Sequence, residues 1–122
     1  MNRMMALDIV TGKQLWDKTY DGDCDRMAIS PGGKTLYVPR LEGPAWHVVD
    51  GESGDVIATV ETKSGSHNTV WAPGGSRVCL GGLKSPLLRI ADPKMNTVRN
   101  TVGPFAAGIR PFTVNGSNTL CS

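Results

Sequence analysis

The chain has 122 residues, 39% of them hydrophobic, with 13 basic and 11 acidic side chains and a formal charge of +2. Such a chain suits one small soluble core, and charges spread along it exclude the basic stripe of a nucleic-acid-binding protein. The first eight residues hold too short an apolar run for a signal peptide, and no stretch approaches a membrane span. We therefore expect no nucleic-acid partner and no transmembrane segment.

The β-prone runs follow one another in a repeating order. The first two lie on either side of a turn that begins at Asp8, and a turn at residues 31–33 precedes two largely apolar runs. After another turn at Asp50, the clearest set of four runs covers residues 68–72, 77–80, 87–91 and 98–102. We name these runs strands A to D, from hub to rim, because four short strands joined by tight turns predict an antiparallel meander.

The sequence also repeats at a fixed interval. Asp8, Asp50 and Asp92 are 42 residues apart, and the same shift aligns Gly74 with Gly116. Repeats of this length, each with four strands, are typical of propeller blades. The predicted fold is all-β, a partial β-propeller of four-stranded antiparallel blades. It forms a single incomplete domain, residues 1–122, with repeats at about 6–47, 48–89 and 90–122.

Two kinds of turn have a chemical explanation. Between strands C and D, an aspartate accepts hydrogen bonds from backbone N–H groups, so we interpret Asp8, Asp50 and Asp92 as structural residues. Between strands A and B, proline fixes φ at the first position and glycine supplies a positive φ later. We assign the positive φ of the second A–B turn to Gly74, where a β-branched residue would be strained.

The chain is too short for a closed propeller, because closed rings use about four to eight blades and the sequence holds just under three repeats. We expect a fragment, an open array or one share of an oligomeric ring, closed by missing blades or a second copy. Three cysteines without metal-site spacing disfavour a disulfide framework or a zinc site. We expect Cys79 and Cys121 to be buried and Cys24 to be a free thiol.

One family resemblance rests on the turn and strand at residues 30–38, which read SPGGKTLYV, and on the aspartate and glycine turns before them. This module resembles the YVTN-type repeat of bacterial β-propellers, the group that includes the YncE-like proteins. The resemblance covers essentially the whole chain and implies a WD40-like propeller with a periplasmic or extracellular location. It leaves the activity open, because related propellers include binding proteins, lactonases and domains without a known reaction.

A second resemblance is local. Residues 6–16, ALDIVTGKQLW, look like the tryptophan-docking repeat of quinoprotein dehydrogenases, which bind pyrroloquinoline quinone. In those enzymes the tryptophan recurs from blade to blade. Here the 42-residue shift aligns Trp16 with Ala58 and Asn100, so we interpret Trp16 as a residue that packs at the rim and expect no cofactor.

The best candidate site lies where the A strands begin, because loops of several blades meet there around one mouth. The 42-residue shift aligns three dipeptides at this point, and we predict a ligand site formed by Asp25, Arg26, His67, Asn68 and Arg110. An imidazole near a carboxylate suits a base or a metal ligand, and two guanidiniums suit an anion. The alternative is that these residues line a wet channel and bond the loops.

Two further candidates are weaker. Asp21, Asp23 and Asp25 imitate the opening of a calcium loop, but Arg26 occupies the position where that loop needs glycine. We therefore expect no calcium site of that type and name no metal ligand. His47 lies in an apolar run, and we expect a packed histidine there.

The leading functional expectation is a non-enzymatic binding or scaffold module of the YVTN/YncE-like type. The alternative is part of a propeller enzyme, either a lactonase-like hydrolase or, with less support, a quinoprotein dehydrogenase. Blade tryptophans repeated along a longer sequence would favour the quinone enzyme, and an acid and histidine ring at the mouth would favour the hydrolase. No catalytic residue is assigned, so whether the protein is an enzyme stays open at this point.

Overall fold

The computed structural model describes residues 1–109, 112–117 and 119–120. In these ranges ten strands form three antiparallel sheets, one of two strands and two of four. The sheet orders are β1-β2, β3-β4-β5-β6 and β7-β8-β9-β10. The strands are β1 (Arg3–Leu7), β2 (Gln14–Thr19), β3 (Ala28–Ile29), β4 (Thr35–Pro39), β5 (Ala45–Asp50), β6 (Val56–Glu61), β7 (Ser66–Trp71), β8 (Val78–Gly82), β9 (Leu88–Asp92) and β10 (Thr97–Val102).

The predicted fold class is confirmed. Each four-stranded sheet is a meander in which consecutive strands pair antiparallel, because short turns join neighbouring strands. Strands β3 to β6 and β7 to β10 are therefore strands A to D of two complete blades. Strands β1 and β2 correspond to strands C and D of a further blade.

Burial follows the order of the strands. Every residue of β8, the second strand of its sheet, is buried, whereas every residue of the outermost strand β10 is exposed. The apolar run of β8 suits a strand covered on both faces, and the polar residues of β10 suit a rim. The sequence pattern thus predicts which strands lie inside.

Two apolar cores join the sheets, because each sheet buries one face against the next. The core between the first and second sheets contains Met4, Trp16, Tyr20, Val38 and Val49. The core between the second and third sheets contains Tyr37, Trp46, Val48, Val60, Val78, Leu80 and Ala91.

The turns between strands C and D confirm the structural role of the aspartates. Asp8 Oδ1 accepts hydrogen bonds from the backbone N–H groups two and three residues later, at 2.8 and 2.9 Å. Asp50 Oδ1 accepts the equivalent pair at 3.0 and 2.8 Å, and Asp92 Oδ1 accepts one from Lys94 N at 2.8 Å. These backbone hydrogen bonds lower the pKa of Asp8 and Asp50, because they stabilise the ionised carboxylate.

The assignment of positive φ to Gly74 was wrong. The positive φ belongs to the next residue, Gly75, at 72°, and to its counterpart Gly33, at 73°. The loop has the form of a type I turn followed by one left-handed residue, so the left-handed position comes one residue later than we expected. A Cβ built on Gly74 meets no atom within 4 Å.

The third A–B turn is displaced by one residue from the predicted alignment. Ser30 N donates to Thr35 O at 2.8 Å, and Ala72 N donates to Arg77 O at 3.0 Å. The equivalent bond of the third turn joins Asn115 N to Leu120 O at 3.0 Å, so the last interval is 43 residues. Gly116 therefore corresponds to a proline position and not to Gly74.

The three sheets do not close into a ring. Exposed apolar side chains remain where a neighbouring blade would cover them, including Met5, Ile29, Val98 and Val102. The described residues contain no helix that is long and apolar enough to cross a membrane.

Candidate functional site

Successive A segments surround one cleft of about 230 Å³. We call it the A-strand cleft. Arg26 and Met27 come just before β3, three residues belong to β7, and Phe112 follows the third sheet. Strands β3 and β7 contact each other directly, which brings the segments together. The cleft is lined by Arg26, Met27, Asn68, Thr69, Val70 and Phe112.

Arg26 supplies the positive charge of the A-strand cleft. Its backbone has a φ of 54°, in the left-handed region that non-glycine residues rarely adopt. Asp25 holds this conformation, since its Oδ1 accepts a hydrogen bond from Arg26 N at 2.8 Å. Asp25 Oδ2 also lies 3.7 Å from Arg26 Nε, and both side chains are at least half exposed.

His67 and Asn68 form the buried part of the site, each with 7% of its surface exposed. His67 Nδ1 lies 2.9 Å from Asn68 Oδ1. With the amide oriented in this way, Asn68 Nδ2 is buried without a hydrogen-bond partner. A buried donor left unpaired costs about 1–3 kcal/mol, so in this orientation the amide favours an acceptor at the cleft.

Thr69 connects the A-strand cleft to the core. Its Oγ1 accepts a hydrogen bond from Trp46 Nε1 at 2.8 Å and donates a longer one to His67 O at 3.5 Å. Trp46 is completely buried. One hydrogen bond thus connects the cleft wall to the Trp46 indole.

The predicted site residues are partly brought together. Arg26 and Asn68 line the same cleft, Asp25 pairs with Arg26, and His67 contacts Asn68 without being among the lining residues. Arg110 lies outside the described residues. Their predicted role in binding a ligand stays a prediction.

Sequence reasoning missed three apolar lining residues, Met27, Val70 and Phe112. The signal for Met27 and Val70 was available, since each lies within two residues of a predicted site residue on an A segment. The repeat also pointed to Phe112, since the 42-residue shift aligns it with Val70 and the 43-residue interval of the third turn aligns it with Thr69, and both residues line the cleft.

The carboxylates that imitate a calcium loop are each paired with a different cation. Asp21 pairs with Arg40, Asp23 with the N-terminal amino group, and Asp25 with Arg26. In the part of the chain that the structure describes, no three His, Cys, Asp or Glu side chains are placed to hold a metal ion.

The other singled-out residues are part of the packing. His47 is half-buried, with Nε2 3.0 Å from Asp21 O and a buried Nδ1 that has no partner. Cys79 is buried as predicted, whereas Cys121 lies outside the described residues. Cys24 is a free, half-buried cysteine, and burial raises the pKa of its thiol.

Trp16 packs at an outer strand, as predicted. Its Nε1 donates to Gly51 O at 2.9 Å, and its ring covers Gly54, where an added Cβ would lie 2.7 Å from Trp16 Cδ2. This contact connects β2 to the C–D turn of the next sheet. The tryptophan is thus a packing residue between blades.

Comparison with known proteins does not assign the chain to a family. A scan against protein-family models gives no match, and a search of curated proteins gives no match. The functional argument therefore rests on the fold and on the chemistry of the A-strand cleft.

Proposed function

We propose that this chain belongs to a YVTN/YncE-like β-propeller and acts as a non-enzymatic binding module. The four-stranded antiparallel blades support the propeller, and the resemblance at residues 30–38 supports the family. The ligand site is the A-strand cleft. Propeller ligands bind where loops of several blades meet around a concave surface.

One observation carries the proposal. Arg26 and Asn68, on successive A segments, line the same cleft, and Asn68 presents a buried amide nitrogen without a partner. Purely structural buried amides are almost always satisfied. An unsatisfied donor beside an exposed guanidinium is better explained by a ligand that accepts hydrogen bonds.

The enzyme alternatives have less support. The resemblance at residues 6–16 supports a quinoprotein-like blade, but Ala58 and Asn100 occupy the positions equivalent to Trp16. For a lactonase-like hydrolase, His67 is the available imidazole, and its Nδ1 is already engaged with Asn68.

The binding proposal is tested by titrating the labelled chain with acetate, inorganic phosphate and glucose while amide resonances are recorded. We expect acetate or phosphate to shift resonances of β7 and of the segment before β3. Shifts confined to other strands would contradict the proposed site. Hydrolysis of γ-butyrolactone by the chain, measured by pH-stat, would replace the binding module with the hydrolase.

We further propose that the open faces of the sheets are covered by further blades or by a second copy. An apolar cleft of about 320 Å³ beside β1 supports this proposal, since Met27 and Ile29, two of its lining residues, are 38% and 54% exposed. We expect sedimentation equilibrium of this chain to show self-association. A monodisperse monomer with a sharp two-state unfolding transition would contradict it.

A further inference from the structure

The A-strand cleft has two chemically different parts. Arg26 supplies a cation and Asn68 an amide, while Met27, Val70 and Phe112 supply apolar surface. A ligand that fills both parts needs a hydrogen-bond-accepting anionic end and an apolar body. This is the usual composition of a small-molecule site, where a few polar groups orient a largely apolar ligand.

The charge around Arg26 favours a ligand with one negative charge. Asp25 already lies 3.7 Å from Arg26 Nε, so the guanidinium is partly neutralised. Within the described residues, the two terminal nitrogens of Arg26 make no hydrogen bond, and a planar carboxylate matches their geometry. A doubly charged phosphate would face Asp25, and the lining residues that the structure describes include no second cation.

Asn68 provides the second donor. Asn68 lines the cleft, and the last torsion of an asparagine side chain has a broad energy minimum, so binding requires the amide to rotate until Nδ2 faces a ligand oxygen. The ligand oxygen would then satisfy the buried donor that the protein leaves unpaired. One carboxylate can thus accept hydrogen bonds from both Arg26 and Asn68.

We propose that the A-strand cleft binds a small monocarboxylate with an apolar body, the carboxylate on Arg26 and Asn68 and the body against Met27, Val70 and Phe112. This inference rests on the proposed binding function and adds the chemical class of the ligand. It does not depend on any reaction.

The protein contains its own reporter for this site. Trp46 Nε1 donates to Thr69 Oγ1, and Thr69 lines the cleft. Trp16 Nε1 donates instead to Gly51 O, in a turn that does not line the cleft. In a nitrogen–proton correlation spectrum, the Trp46 indole resonance should move when the cleft is occupied and the Trp16 resonance should stay.

The experiment titrates the full chain with 3-phenylpropionate, with the uncharged 3-phenylpropionamide and with inorganic phosphate. We expect 3-phenylpropionate to move the Trp46 resonance at a concentration about tenfold lower than the amide or phosphate, because one charge-assisted hydrogen bond is worth about a factor of ten. The advantage should shrink as sodium chloride is raised, since salt screens the exposed guanidinium.

Arg26→Asn is the matched variant, because asparagine tolerates the left-handed backbone but carries no charge. We expect it to weaken 3-phenylpropionate binding about tenfold and to leave the amide unchanged. Arg26→Lys should recover part of the loss. Arg99→Asn, which removes another exposed arginine from the outer strand β10, is the control and should change nothing.

The outcomes separate this inference from the proposed function. If acid and amide bind equally and both move Trp46, the cleft is a binding site but the carboxylate assignment is wrong. If phosphate binds more tightly than 3-phenylpropionate, the cleft is likewise a binding site but the assignment of a monocarboxylate ligand is wrong. Both proposals fail if two results are found together. The first is that 3-phenylpropionate, its amide and phosphate all leave the Trp46 resonance unmoved. The second is that acetate, phosphate and glucose leave the resonances of β7 unmoved. A failure of Arg26→Asn to weaken binding would overturn the role of Arg26.

Discussion

The two interfaces between sheets use the same positions but place their tryptophans on different strands. In the first interface, strand C supplies Met4 and strand D supplies Trp16. In the second, the residues 42 positions later are Trp46 on strand C and Ala58 on strand D. The large and small side chains have therefore exchanged strands between the two interfaces.

The residues that pack against these side chains occupy equivalent positions in the two interfaces. The first sheet packs against Leu36, Val38 and Val49 of the second sheet. The second sheet packs against the equivalent residues of the third sheet. The two interfaces therefore fill equivalent backbone positions, while the identity of the filling residue varies. Interior packing requires the volume to be filled but accepts different side chains.

The C–D turn changes with the position of the tryptophan. Gly54 lies under Trp16 and has no room for a Cβ, whereas its equivalent, Asn96, has a side chain at φ 51°. In both interfaces a tyrosine hydroxyl bonds to this turn position. Tyr20 Oη donates to Gly54 O at 2.6 Å, and Tyr37 Oη donates to Asn96 Oδ1 at 2.7 Å.

The largest expected loss in the free energy of unfolding comes from removing Trp46, the fully buried tryptophan. Trp46→Ala should lower the free energy of unfolding by about 4 kcal/mol, because it leaves a cavity in the larger core and Trp46 is fully buried. Trp16→Ala is the matched variant and should cost less, since Trp16 packs from a sheet of only two strands. Urea denaturation measures both, and an equal loss would contradict the comparison.

The second-largest loss in the free energy of unfolding is expected at Gly54, the glycine under Trp16. Gly54→Ala should destabilise by about 3 kcal/mol, because it adds the strain of a positive φ to an overlap with the Trp16 ring. Gly12, at the equivalent turn of the first sheet, has nearly the same φ, but an added Cβ there would meet no atom within 4 Å. Gly12→Ala should therefore cost only about 1 kcal/mol. Thermal unfolding of the two variants would test whether packing or backbone conformation dominates.

The sequence predicts the backbone of these interfaces better than their side-chain contacts. The turn aspartates and the apolar runs of β4, β5 and β8 act over a few residues, so local chemistry is enough to place them. The exchange of tryptophan between strands depends on what the neighbouring sheet leaves empty, which no local pattern contains. The sequence predicts Arg26 and Asn68 as site residues, and both line the cleft. The apolar residues beside them were within reach of the repeat alignment, but which of them face the cleft depends on how the sheets pack together.

The buried tyrosines give stability that depends on pH. Burial raises the pKa of Tyr37 to about 12, above the value of about 10 expected in the unfolded chain. Its contribution is therefore fully present below pH 10 and is lost as the pH rises toward 12. Tyr37→Phe should cost about 1 kcal/mol at neutral pH through the lost hydrogen bond. It should also make the decline in unfolding free energy above pH 10 shallower.

Tyr20→Phe provides the control in the first interface, because burial also raises the pKa of Tyr20 to about 12. Both variants should shift the spectrophotometric tyrosine titration toward fewer late-titrating groups. If neither variant alters the alkaline limb of the stability curve, the two hydroxyls are not buried in the folded protein as the structure places them.

The smallest effects come from the A–B turn at the second interface, where neighbouring glycines differ in conformation. Gly75 has φ 72° and lies against Pro31 of the preceding sheet, with an added Cβ 3.6 Å from Pro31 Cδ, an ordinary contact. Gly75→Ala should therefore cost about 1 kcal/mol through backbone strain alone. Gly74→Ala, in open space without a positive φ, should change stability by less than about 0.5 kcal/mol. Urea denaturation of the two variants measures the difference in their free energies of unfolding. A larger loss for Gly74→Ala would indicate that the left-handed residue is Gly74.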